Sequence, residues 1–101
     1  MKLSSFDQKQ VNKMEMQIEN YNQRRIDLGD LISDLGFLRD ALEECPKEWE
    51  LEFTEKLTDL ESANSFLIER RYDEQAKEQT NVLIEITIRN LGKIIGKLQS
   101  C

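Results

Sequence analysis

Hydrophobic positions recur along this chain in steps of three and four, with charged residues between them. Val11, Met14, Ile18 and Tyr21 follow that spacing, with Phe6 ahead of them, and it marks one buried face of an α-helix. Lys9, Lys13, Glu15 and Glu19 fall off the line. Ser5 and Gln8 have the form of a capping box, so a first helix is expected to open there. It should end near Ile26, before Asp27-Leu28-Gly29-Asp30. Leu31, Leu35, Leu38 and Leu42 form a second stripe, with Asp27 or Asp30 available as its N-cap. Gly29 and Gly36 each weaken the local helix by about 1 kcal/mol relative to Ala, and one long kinked helix across both stripes is an open alternative.

Cys45-Pro46 ends the second stripe, because the residue before proline avoids the α region. Pro46 suits the first turn of a third helix, whose stripe is Trp49, Phe53, Leu57, Leu60, Ala63 and Leu67. Arg70 and Arg71 fall at its C-terminal end, where the helix dipole favours cations, and Tyr72-Asp73 begins a turn. The segment Val82 to Ile88 is rich in β-branched residues and partly alternates, which would suit a strand. No other stretch offers such a strand a partner. Ile84, Ile88, Leu91, Ile95 and Leu98 step by four and three, so the segment is read as a fourth helix starting between Asp73 and Thr80. Four helices with short turns predict an all-α, single-domain antiparallel helical bundle over residues 1–101.

Composition agrees with a helical reading. The 101 residues hold four Gly and one Pro, few breakers among many good helix formers. A chain of this length buries one modest core. The net charge of −6 disfavours direct contact with nucleic acid or anionic membrane and favours basic partners. Cys45 and Cys101 do not form the dense framework of a secreted domain, so both are expected to be reduced thiols. No stretch approaches the ~20 apolar residues of a membrane span, and the polar start does not resemble a signal peptide. A cytoplasmic location is the expectation.

The chemistry of a catalyst is thin. The chain has no histidine, so Ser-His-Asp and Cys-His arrangements are excluded, as is the Glu-x-x-His pair of a di-metal bundle. There is no glycine-rich phosphate loop, and two distant cysteines make no zinc motif. All-helical nucleotide pyrophosphohydrolases hold magnesium with Glu-x-x-Glu on one helix and Glu-x-x-Asp on the next. Glu52 and Glu55 supply the first half, but no Glu in the chain has an Asp three residues later. No cofactor, no metal and no enzymatic activity are expected.

Charge is unevenly placed. Residues 27–61 hold twelve Asp or Glu against Arg39, Lys47 and Lys56, a net charge of −9. Within them Glu48, Glu52, Glu55 and Asp59 step by four, three and four beside the third apolar stripe, while Asp30 with Asp34 and Asp40 with Glu44 are each four apart. Like charges at helical spacing each cost about 0.2–0.5 kcal/mol. These eight carboxylates are the candidate residues for binding a basic protein, with Tyr72, which lies beside Arg71 in a turn, as a ninth. The competing reading is a solvated face: acids near the start of the third helix meet its dipole favourably, and Glu52 can pair with Lys56. Trp49 continues an apolar stripe and is expected in the core. Phe37 lies off its stripe, so its burial is left open.

The stretch from Arg25 to Leu35, then Leu42-Glu43-Glu44-Cys45-Pro46-Lys47-Glu48-Trp49, Phe53 and Leu57-Thr58-Asp59-Leu60-Glu61, resembles small helical immunity proteins. These are encoded beside toxins of bacterial contact-dependent growth inhibition and related polymorphic systems. The resemblance covers about a third of the chain and consists mostly of core pattern. It implies neutralisation of a toxin domain delivered by a neighbouring cell, often a nuclease with a basic cleft. It transfers no fixed functional residues, because each such protein matches its own toxin. Two other classes fit the sequence: a helical module that self-associates as a homodimer, and a phage-type inhibitor mimicking nucleic-acid charge.

Overall fold

The computed structural model describes residues 3–69 and 73–99. Those residues form four α-helices: α1 (Ser5–Asn22), α2 (Leu28–Ala41), α3 (Lys47–Glu69) and α4 (Glu74–Gln99). Each helix packs on two others, in the cycle α1–α2–α3–α4–α1. The links are short, and side-chain contacts fix the directions. Asp7 at the start of α1 meets residues 43 and 44 beyond the end of α2, and Trp49 at the start of α3 meets Ile94 near the end of α4. Gln99 of α4 likewise reaches Glu15 of α1. Neighbours therefore run antiparallel, the bundle expected from the four stripes.

The helix ends follow side-chain chemistry. The cap of α1 is Ser4, one residue earlier than the expected Ser5, and its Oγ accepts from the Asp7 N–H at 3.1 Å. The α1 helix stops at Asn22 rather than near Ile26, because Arg24 takes the left-handed conformation (φ 61°). There its N–H donates to the Tyr21 carbonyl, and the Arg25 N–H donates to the Asn20 carbonyl. Asp27 then caps α2, its Oδ1 accepting from the Asp30 N–H at 2.8 Å. A cap in extended backbone at Asp27 separates α1 from α2, so the continuous kinked helix does not form. Asp73 caps α4 through the Ala76 N–H. The Val82–Ile88 segment is wholly helical within α4.

One core runs through all four helices. It contains Val11 and Met14, Leu28 to Leu38 at their apolar positions, Trp49, Phe53, Leu57 and Leu60, and the α4 row Ile84, Ile88, Leu91, Ile94, Ile95 and Leu98. Leu42, Ala63, Leu67, Ile18 and Tyr21, placed on the stripes by spacing, are partly buried at its margin. Phe6, which lies ahead of the α1 stripe, is 45% exposed. The position that continues the α1 stripe four residues before Val11 is Asp7, and it is fully buried. Trp49 stacks on Phe53 with ring centroids 4.9 Å apart, and its Nε1–H donates to the Ile94 carbonyl at 2.6 Å. Phe37 is 73% exposed, which answers the question its off-stripe position left open.

Two variants test this frame. Trp49→Ala removes a buried ring, a stack and an interhelix hydrogen bond, and should cost about 3–5 kcal/mol. Asp7→Asn keeps the size but faces one loop N–H with a donor, which should cost about 1–3 kcal/mol. Urea unfolding followed by circular dichroism measures both. A Trp49→Ala protein that melts like wild type would place that ring outside the core.

Candidate functional site

The carboxylates of α3 lie on its outer flank because its inner face is committed to packing. Trp49, Phe53, Leu57 and Leu60 point inward. At about 100° per residue, the positions just before them turn out of the bundle on the side of α4. The four acids span about 16 Å of helix at 1.5 Å per residue. Glu48, Glu55 and Asp59 are exposed and Glu52 is half-buried. Lys97 of α4 donates to Glu52 at 2.9 Å, and Lys56 lies 4.0 Å from Asp59. Among the described residues, Glu48 and Glu55 have no ion pair. The Glu52–Lys56 pairing suggested by spacing gives way to these two contacts.

The α2 carboxylates do not join this line. Asp34 is half-buried against α1, where Gln17 Nε2 donates to its Oδ2 at 2.5 Å. Asp30 borders the groove that holds Tyr21, Arg24 and Arg25 at the end of α1. Asp40 pairs with Arg39 at 3.0 Å and borders the groove between α2 and α3, beside Phe37. Glu44 is exposed on the link 42–46, and its N–H donates to Asp7. Four of the nine candidate residues thus share one flank, and four are distributed over other sides. Tyr72, like Arg70 and Arg71, lies outside the described residues.

Asp7 was not foreseen from the sequence as a site of any kind. Its two carboxylate oxygens accept the Glu43 N–H at 2.8 Å and the Glu44 N–H at 3.0 Å. The signal was present: Asp7, Val11, Met14 and Ile18 step by four, three and four, so the stripe itself puts Asp7 inside. Next to this clamp sits Cys45, an unbridged and half-buried thiol; Cys101 lies outside the described residues. Burial pushes the Cys45 pKa up, and the Glu50 and Asp7 charges act in the same direction. Burial also raises the Tyr21 phenol, helped by Glu85 and opposed by Arg24. A raised thiol pKa means less thiolate near neutrality, hence a weak nucleophile.

No group of three or more metal-ligating side chains is positioned around one point among the described residues. No described helix is long and apolar enough to cross a membrane. No family model matches the chain, and neither a curated protein nor a solved structure matches it.

The thiol gives a direct check on this local electrostatics. Cys45 should react with iodoacetamide at neutral pH more slowly than free glutathione does. Its reactivity should rise only above the pH range of an ordinary thiol, because deprotonation is shifted upward. Glu50→Gln should speed the reaction by removing one of the causes. Peptide mapping by mass spectrometry separates Cys45 from Cys101. Alkylation of Cys45 as fast as glutathione would contradict the burial and charge described here.

Proposed function

We propose that this protein is a stoichiometric inhibitor of the immunity type. It binds a basic toxin domain, of which a nuclease is the expected kind, in the cytoplasm and blocks access to the toxin's substrate cleft. The outer flank of α3 is the main contact. The observation that carries this reading is the row Glu48, Glu52, Glu55 and Asp59, in which Glu48 and Glu55 are exposed and have no ion pair among the described residues. Such a row is mildly destabilising to an isolated helix. It becomes favourable when a partner supplies the opposite charge. A resemblance to immunity proteins over residues 25–61 supports the same reading. Acidic potential along one flank would steer a basic partner and raise the association rate more than the final affinity.

Glu48 and Glu55 are the residues to reverse, because Glu52 and Asp59 also contact lysines of this chain. In Glu48→Lys/Glu55→Lys each new lysine neighbours Glu52 at helical spacing. That gain offsets the loss of Glu48 from the first turn, so stability should change by less than about 1 kcal/mol. Association with the toxin domain encoded next to this protein's gene should slow by about tenfold or more in the variant. Wild-type association should slow as salt rises, since the Debye length is roughly 8 Å at physiological ionic strength. Stopped-flow binding measures the rates, and co-expression with the toxin measures protection. Equal protection by wild type and variant would reduce the row to a solvated face. Absence of protection by wild type would remove the immunity reading.

A further inference from the structure

The apolar surface of α4 is wider than its core requires. Ile84 and Ile88 are buried in the bundle, yet Val82, Leu83 and Ile86 on the same stretch are 53%, 60% and 45% exposed. This double-sided apolar run is what gave Val82–Ile88 its strand-like appearance in the sequence. Leu83 faces α3 across an open groove of about 540 Å³. Ser62, Ala63 and Phe66 of α3 and Ala76, Gln79, Thr80 and Leu83 of α4 line it, with Asp59 on the α3 side. The two threonines along α4 do not make the groove polar. Thr80 Oγ1 donates to the Ala76 carbonyl and Thr87 Oγ1 to the Leu83 carbonyl, both at 2.8 Å.

We infer that this α3–α4 groove is the docking cleft for an amphipathic basic helix of the partner protein, resting on the proposal that the partner is basic. Small side chains along a groove between two helices leave room for a third helix, with apolar anchors at i, i+3/i+4 and i+7. Charge complementarity selects its chemistry. Asp59 borders the groove and Glu55 lies one turn earlier on the same exposed flank. An apolar edge of the incoming helix fills the space beside Leu83, and Lys or Arg on its flank meets the α3 carboxylates. The cleft thus supplies the apolar burial, and the acidic row supplies selectivity for a cationic helix. Apolar anchors in a groove with charge at its rim are the usual division between the centre and the edge of an interface.

The test uses the full chain and a synthetic helix of about 20 residues with leucines on one face and lysines on the other, long enough to span the groove. A counterpart with glutamates in place of the lysines is the control. The lysine peptide should bind one to one by calorimetry, and amide resonances of Ala63, Ala76 and Leu83 should shift most. Leu83→Gln should weaken binding by about tenfold or more, as for an interface anchor, with unchanged helicity. Phe37→Ser, an exposed site in the α2–α3 groove, should leave binding unchanged. Binding insensitive to Leu83→Gln, or shifts confined to other grooves, overturns the cleft. If Glu55→Lys abolishes binding while Leu83→Gln does not, the cleft falls and the acidic-flank reading stands. Equal binding of both peptides overturns the charge selectivity on which cleft and reading both depend. A dimer of the chain alone that Leu83→Gln dissociates would make a second copy the occupant and overturn the basic-helix assignment. So would failure of the lysine peptide to bind.

Discussion

The bundle turns on one buried carboxylate. Asp7 is fully excluded from solvent, and its two oxygens take the N–H groups of Glu43 and Glu44. A buried charge is costly unless its hydrogen bonds are satisfied. Here the cost is offset by two charge-assisted bonds to a link that would otherwise have to satisfy two N–H groups elsewhere. The bond pattern also sets geometry. It ties the first turn of α1 to the link between α2 and α3, only a few residues before Trp49. Trp49 then reaches across to the Ile94 carbonyl of α4. One chain of contacts therefore connects all four helices at the end of the bundle from which α3 departs.

That constraint also fixes which way α3 faces. Once Trp49 and Phe53 stack inward, the rotation of α3 about its axis is determined. Glu48, Glu55 and Asp59 are turned outward beside α4, and the groove lined by Asp59 and Leu83 lies along the same boundary. Acidic flank and apolar groove adjoin because one packing event orients both. The flank and the groove are both consequences of the core's register.

The sequence was informative wherever a single helix explains itself. Each stripe gave the buried side of its own element, down to the row from Ile84 to Leu98 in α4. Boundaries were less legible. The end of α1 depends on Arg24 entering a conformation that no composition rule assigns to arginine, and the cap falls on Ser4 rather than Ser5 through one hydrogen bond. Asp7 is hard to read from sequence because charged residues are almost never fully buried, although its spacing from Val11 points inward. The acidic residues show the deeper limit. Periodicity gives the phase of a side chain within its helix and says nothing about which neighbour lies on that flank. Asp34 therefore turns to Gln17 of α1 while Glu52 turns to Lys97 of α4, and a charge cluster that is continuous in sequence is divided in space.

The cyclic packing has a mechanical corollary. The first and last helices are antiparallel neighbours, and Gln99 at the end of α4 reaches Glu15, past the midpoint of α1. A force drawn through residues 5 and 99 would peel α1 from α4 like a zipper, loading their contacts one after another instead of all together. In such a geometry resistance to the pull is set by one contact at a time and not by the summed stability of the bundle.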